Sequence, residues 1–376
     1  MLNVTGTVAT ADDSLQRSIV RSAALAVERH APLEVIDPRG MIYDKNRDHR
    51  WTLRLRGCKQ AMVLGLPVGI HPLDRPDQPE WTVFSLSQDE ALPGHTAMAE
   101  PGALGALVEL DGPLSVTPAT YRRGRRAVFR IGGARSSEAR YLKLLSKKAF
   151  RRAAGVMDAV GQLGLDDIVR PVKLDRSMAA LVFDEVAAPS LHDRLWAGSE
   201  VAVDPVLDGV ARLAGAPTDP RLPRRNLLTE REGTVRLLTT GASFLPALNR
   251  VLTAIEDADL PQLEGKGLIH GDFHDKQIFV EGCSVRMIDA ESLAIGPPEI
   301  DLVNLAEHLR LRGLQGCEGA PDWSERLWGA SGLDRSAPHV AALRALVRAR
   351  LSGVYAKRPW WWKLALRLAD ESIAML

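Results

Sequence analysis

The chain is 376 residues long, with 45% hydrophobic and 25% charged residues. That is enough for two or three folding units with cores of their own. Lysine plus arginine (48) nearly balance aspartate plus glutamate (47), for a net charge of +1, which argues against a protein built to coat nucleic acid or an anionic membrane surface. The three cysteines, Cys58, Cys283 and Cys317, are widely spaced with no C-x-x-C pair, so a reduced, cytoplasmic setting is expected. The N-terminus MLNVTGTVATADDSLQ lacks a basic start followed by an apolar core, and no apolar run is long enough to span a bilayer.

Residues 1–112 read as an N-terminal extension or cap domain. Ser14 to Arg29 has the spacing of a helix, RWTLRLRG, KQAMVLGL and WTVFSLS have that of strands, and His71 to Glu80 is a proline-rich connector. From Val116 onward ATYRR and AVFRI flank Gly124 as a hairpin, and RYLKLL follows as a third strand. The pattern then switches to helical spacing, with Phe150, Ala153, Met157, Val160 and Leu163 on one face. PVKLD and MAALVFDEV add two strands around an Arg176-Ser177 turn. After Pro189 the chain becomes mostly helical: LHDRLWAG, FLPALNRVLTAIEDADL and PEIDLVNLAEHLRLRG are the clearest cases, and GLIH, QIFVEG and VRMIDA are short strand-like pieces. The expected class is α+β, a small sheet-rich part (113–186) followed by a larger helical part (187–376).

The stretch HGDFHDKQIF concentrates polar chemistry between apolar neighbours. Gln277 stands five residues after Asp272, and Asp289 closes the apolar run VRMI. An acid, an oxygen ligand five residues on and a second acid after one hairpin suit a divalent cation and a hydroxyl aimed at a phosphate. Magnesium takes hard oxygen ligands in octahedral geometry, which a carboxylate and an amide oxygen satisfy while leaving room for phosphates and water. A carboxylate such as Asp272 suits late removal of the hydroxyl proton.

With HGDFHDKQ, MIDAE and GPPEIDL in that order, the sequence resembles the aminoglycoside phosphotransferase and choline kinase group of small-molecule kinases, which share the protein-kinase-like two-lobe fold. The group's pattern is H-G-D-x-H-x-x-N, then I-D-x-E, then G-x-P-x-x-D-L, and the chain departs from it in carrying Gln277 where asparagine is usual. Maltokinase-type bacterial kinases are similar in having glutamine there and an N-terminal cap. The resemblance implies that Asp272 is the catalytic aspartate, with His270 and His274 beside it in the motif and His270 orienting the loop. It implies Gln277 and Asp289 as magnesium ligands, Glu291 as their support through water, and Asp301 as a brace for the catalytic loop. It implies ATP as the donor, with Lys143 on the third strand meeting the phosphates and adenine held by backbone near Glu185 and Val186. The loop over the phosphates would be Arg122–Arg126, where Arg125 and its neighbours either reach the phosphates or form a basic hairpin tip in water.

Two readings follow from the motif set. One is an ATP- and Mg-dependent phosphotransferase acting on a hydroxyl of a small molecule: a sugar, an aminoglycoside or an amino alcohol. The other is a pseudokinase-like nucleotide-binding module that works through partner binding. It draws on Gln277 and on the helix SKKAFRRAAGVMDAVGQ, which has no glutamate to pair with Lys143; Asp158, Glu138 and Asp289 are the alternatives. Glu307, Glu318, Asp322, Trp323 and the Trp360-Trp361-Trp362 run are candidate walls for an acceptor, with plain packing the competing role for the tryptophans.

Overall fold

A computed structural model describes residues 82–134 and 138–376, together with the backbone of four earlier strands. The expected helix at Ser14 to Arg29 and the connector at His71 to Glu80 lie outside the described residues. These residues fall into two compact units, one running through Ala154 and adding Pro171–Glu185 and Arg358–Trp360, the other comprising Gly155–Arg170, Val186–Lys357 and Trp361–Leu376. Among the described residues no helix is long and apolar enough to cross a membrane.

The first unit holds two antiparallel sheets. In one, β1 (Glu34–Val35), β3 (Arg50–Arg56), β4 (Met62–Pro67) and β5 (Thr82–Ser85) lie in that order, with β2 (Ile42–Asp44) also paired to β3. The other is built from β6 (Ser115–Arg122), β7 (Arg126–Gly132), β8 (Ala139–Leu145), β9 (Lys173–Asp175) and β10 (Ala180–Asp184), in the order β6-β7-β8-β10-β9. The expected strands RYLKLL and MAALVFDEV are β8 and β10, paired with Lys143 opposite Leu181. Successive side chains in a strand point to opposite faces, and the two faces of this sheet are covered differently. Phe129, Ile131, Leu142 and Leu144 pack with Leu86, Leu92, Leu104 and Leu107 from the segment before the sheet, which includes the helix α1 (Pro101–Val108). Leu145 and Leu181 pack with Phe150, Ala153 and Ala154 at the start of α2 (Lys147–Leu163). Leucines of residues 86–110 thus share one core with the five-stranded sheet.

The second unit is mainly helical: α3 (Leu191–Trp196), α4 (Asp204–Gly215), α5 (Leu227–Ala242), α6 (Asn249–Asp257), α7 (Glu299–Leu314), α8 (Gly319–Ser331), α9 (Pro338–Tyr355) and α10 (Trp362–Ile373). Two small antiparallel strand pairs are set among them. β11 (Gly267–Ile269) pairs with β14 (Ala294–Gly296), and β12 (Ile278–Glu281) pairs with β13 (Ser284–Met287). The stretch FLPALNRVLTAIEDADL is shorter as a helix than its pattern suggests, because a separate 3-10 turn at Pro246–Leu248 precedes α6. Helix α5 is capped reciprocally by Asn226 and Thr229, which satisfies backbone donors that a helix start otherwise leaves open. It crosses α9 at two glycines: a Cβ on Gly353 would stand 2.9 Å from the backbone of Leu237, and one on Gly241 would stand 3.0 Å from Cα of Gly353.

Because the obstruction at Gly353 is backbone rather than a flexible side-chain end, Gly353→Ala is expected to force the two helices apart. A loss of about 1–3 kcal/mol is expected, measurable as a lower urea midpoint with an unchanged slope.

Candidate active site

The loop of residues 270–277 joins β11 to β12, and it is held at both ends by buried side chains of the helical unit. The buried carboxylate of Asp301, in the first turn of α7, accepts the backbone N–H of His270 at 2.6 Å and of Gly271 at 2.9 Å. The expectation that Asp301 braces this loop is met in geometry. Burial raises the Asp301 carboxyl above the ordinary aspartate value, against the pull of His270 and of the two N–H groups. The carbonyl of Gly271 accepts from the guanidinium of Arg225, and that of Phe273 accepts from the Asn304 amide at 2.8 Å. Arg225 and Arg350 in turn flank the buried Glu230 at 3.1 and 3.0 Å, and Arg350 also donates to Asn304.

Gly271 is required for this path. Its φ is +78°, and a Cβ there would stand 2.3 Å from the carbonyl oxygen of Ser292. The loop therefore passes directly against the segment that follows Asp289.

Asp275 anchors the far end of the loop. Its buried carboxylate accepts from Arg312 at 2.8 and 3.2 Å and pairs with His192 at 2.6 Å. Burial alone would push this carboxyl up, but the His192 hydrogen bond and the Arg312 charge outweigh it and hold the group far below the ordinary value. Asp301, Asn304, His308 and Arg312 recur at three- and four-residue spacing, so one face of α7 serves the whole loop. His308 completes the face by stacking on His274, with ring centroids 4.8 Å apart and planes at 16°. Burial lowers the pKa of both rings, well below the ordinary value for His308. His274 also caps the 3-10 turn Asp275–Gln277 by accepting the Lys276 N–H at 3.2 Å. His270 is fully buried, with Nε2 2.9 Å from the carbonyl oxygen of Ile288, so it orients the loop against β13.

Asp272 is exposed at the crest of this pinned loop. Its Oδ2 accepts from Nε2 of Gln277 at 3.3 Å, while Oε1 of Gln277 is buried with no hydrogen-bond partner among the described residues. A buried carbonyl oxygen without a donor is costly, and a cation would satisfy it. The β12–β13 hairpin brings the second ligand candidate to the same end. Ile278 pairs with Met287, and Ile288 N–H donates to the Gln277 carbonyl at 3.0 Å, so Asp289 follows directly beyond that bond. Asp289 adopts φ 60°, ψ 33°, a left-handed conformation uncommon outside glycine and a form of strain that clusters at functional sites. Glu291 lies in the 3-10 turn just after it. The donor set of amide oxygen and carboxylates suits a hard divalent cation.

The nucleotide candidates lie mainly in the first unit. Lys143 is buried at 3% exposure in β8, an interior strand of its sheet, not a solvated edge. It shares a sheet face with Leu145 and Leu181, the side covered by α2. The arginine-rich turn is held from beneath by Asp89, whose carboxylate accepts the Gly124 N–H at 2.5 Å and the Tyr121 hydroxyl at 3.1 Å. Arg123 stacks over the Phe84 ring at 3.8 Å, whereas Arg125 is exposed. Glu185 makes a two-point pair with Arg130 at 2.5 and 2.7 Å, and its N–H donates to Ala139 O; Val186 begins the next segment of the second unit.

The acceptor-wall candidates fare differently. Glu307 is buried between Arg344 and Arg348, and Trp323 is fully buried with its indole N–H on Val201 O. Trp360 and Trp361 lie in a 3-10 turn rather than on one helix with Trp362; Trp360 is buried, and Trp361 meets Tyr355 edge to face. These are packing roles. Arg225, Asn304, Asp275 and Arg312 were not singled out by the motif, although the i, i+3, i+7, i+11 recurrence of polar residues in α7 is visible in the sequence.

No family model matches the chain, and no curated protein matches it in sequence. Comparison with solved structures is informative. The chain is similar to choline kinase LicA from Streptococcus pneumoniae, at 12% identity over 75% of this chain and 100% of that one, with a TM-score of 0.50. It is equally similar to aminoglycoside phosphotransferase APH(4)-Ia, at 12% identity over 74% of this chain and 98% of that one, again with a TM-score of 0.50. This chain has their protein-kinase-like fold. The kinase-like α+β class expected from the sequence therefore holds.

Replacing Asp275 by asparagine removes the charge that compensates the buried Arg312. A loss of about 3–5 kcal/mol in unfolding free energy is expected. The double variant Asp275→Asn, Arg312→Leu is expected to recover part of it, and a double-mutant cycle by urea denaturation measures the coupling.

Proposed function

We propose that this chain is a small-molecule kinase that transfers the γ-phosphate of ATP to a hydroxyl group, with magnesium as the resident cation. The observation that carries the reading is the pairing of an exposed Asp272 carboxylate, on a loop braced by Asp301 and Asp275, with a Gln277 carbonyl oxygen that is buried and has no hydrogen-bond partner among the described residues. Asp272 would accept the proton of the acceptor hydroxyl and aim its oxygen. The Gln277 amide donates to Asp272 Oδ2, which fixes the carboxylate and leaves its other oxygen for the acceptor. Gln277 and Asp289 would hold the cation, with Glu291 in support; bound there, magnesium neutralises charge on the transferring phosphates. Lys143, and the exposed Arg125, would meet the phosphates of ATP, and the backbone at Val186 the adenine. The acceptor is a small molecule bearing a hydroxyl: a sugar, an aminoglycoside or an amino alcohol. With Glu307 already neutralised by two arginines, that residue gives no support to a cationic acceptor. A cytoplasmic setting, where ATP is abundant, belongs to the same reading.

A second reading, a nucleotide-binding module acting through a partner, is favoured by one observation. The Gly124 N–H at the turn over the phosphates is already engaged by Asp89, so that turn offers one fewer donor to a nucleotide.

A panel of sugars, aminoglycosides and amino alcohols, read by coupled ADP release, separates the two. The kinase reading expects magnesium-dependent release with at least one acceptor, reduced roughly 10²–10⁴-fold in Asp272→Asn with ATP binding retained. Gln277→Ala is expected to raise the magnesium concentration needed for half-maximal rate. Tight Mg-ATP binding with no turnover on any acceptor would leave the partner-binding module as the better account.

A further inference from the structure

Helix α7 also presents a face to a cavity. Residues 306, 310 and 313 lie on the opposite side of the helix from Asn304, His308 and Arg312. They line a cavity of about 270 Å³ closed by α8, α9 and the segment between them. The cavity lies within the second unit and is separated from the catalytic loop by the helix itself.

Its charges do not balance. Glu307 accepts from Arg344 at 2.9 Å and from Arg348 at 2.7 Å. Glu371 pairs with Arg310 at 2.6 Å, Arg367 at 3.0 Å and Arg348 at 3.7 Å. Four guanidiniums thus share two carboxylates around the cavity, and on its wall Arg310, Arg335 and Arg344 face Glu307 and Glu325, a surplus of one positive charge. Arg335 and Glu325 form a self-contained pair at the rim. The surplus is not all dissolved in water, since Arg348 is 8% and Arg310 29% exposed. Nη1 of Arg310 is buried and has no hydrogen-bond partner among the described residues. A buried donor on a charged group without an acceptor is an unfavourable arrangement, and an anion entering the cavity would relieve it.

We propose that this cavity binds a small organic phosphate monoester, its phosphate held by Arg310 and Arg344. A monoester carries about −1.5 to −2 at neutral pH, opposite in sign to the surplus on the cavity wall. Guanidinium groups bind phosphate oxygens through paired N–H donors. Arg344 commits only Nε to Glu307, which leaves its terminal nitrogens for a ligand. Leu314, Pro321 and Trp328 provide apolar wall for an organic body. Since the site is on the face of α7 away from Asp272, it is distinct from the donor and acceptor positions of the proposed reaction.

The test is isothermal titration of the full chain with glucose 6-phosphate and phenyl phosphate, with glucose and inorganic phosphate as controls. Saturable one-to-one binding of at least one monoester at millimolar concentration or below is expected, with weaker binding for inorganic phosphate, and any binding of glucose, which belongs to the acceptor position, is expected to be insensitive to substitution of Arg310 or Arg344. Asp272→Asn is expected to leave this affinity unchanged. Arg310→Gln and Arg344→Gln are each expected to weaken it by roughly tenfold or more. Circular dichroism checks folding, and Arg344→Gln carries the test if Arg310→Gln does not fold, because Glu307 retains Arg348. Failure of both monoesters to bind would overturn the proposal. So would affinity that survives both arginine substitutions, or inorganic phosphate binding as tightly as the monoesters.

Discussion

The two backbone N–H groups of His270 and Gly271 converge on one buried carboxylate, Asp301. A loop in this position must leave Asp272 open to solvent, so it cannot draw stability from burying its own side chains. Its order has to come from fixed partners for its backbone, since each unpaired buried donor or acceptor is costly. Asp301 meets two of these needs at once, Asn304 and Arg225 meet two more, and Asp275 carries the tension to Arg312 at the far end of the same helix. One α-helix therefore acts as a rigid template for the loop. The site is precise because a helix, and not another loop, sets its register.

The hairpin supplies the other half of the arrangement. Pairing of Ile278 with Met287 brings Gln277 and Asp289 to the same end of two short strands. The left-handed backbone at Asp289 turns the chain immediately after the pair ends, and the absent Cβ of Gly271 lets the catalytic loop lie against the next segment. An amide oxygen with no donor and a carboxylate on a strained residue are features that a purely structural hairpin has no reason to keep. They are the physical basis for reading the site as a cation position serving phosphoryl transfer.

Much of this was legible in the sequence. The strands β6, β7, β8 and β10 announce themselves by alternation around Gly124 and the Arg176-Ser177 turn, and α7 by its apolar stripe. The motif residues Asp272, Gln277, Asp289 and Asp301 are recognisable because their spacing is set by one turn and one hairpin. What escaped was whatever depends on contacts distant in the chain. Helix α5 lacks a clear apolar stripe and is carried instead by its Asn226–Thr229 cap and by backbone contact through Gly241 and Gly353. The polar face of α7 was passed over because polar residues on a helix ordinarily face water. Glu307 and Trp323 looked available to an acceptor, but pairing with two arginines and a hydrogen bond to Val201 turn them inward.

The central claim is that Asp301 holds the loop of residues 270–277 in a single conformation through the amides of His270 and Gly271. Amide hydrogen exchange at those two positions tests it most directly. Exchange as slow as that of the core strands in the unaltered protein, and sharply faster exchange confined to residues 270–277 in Asp301→Ala, is the predicted result. Rapid exchange at His270 and Gly271 in the unaltered protein would contradict the account.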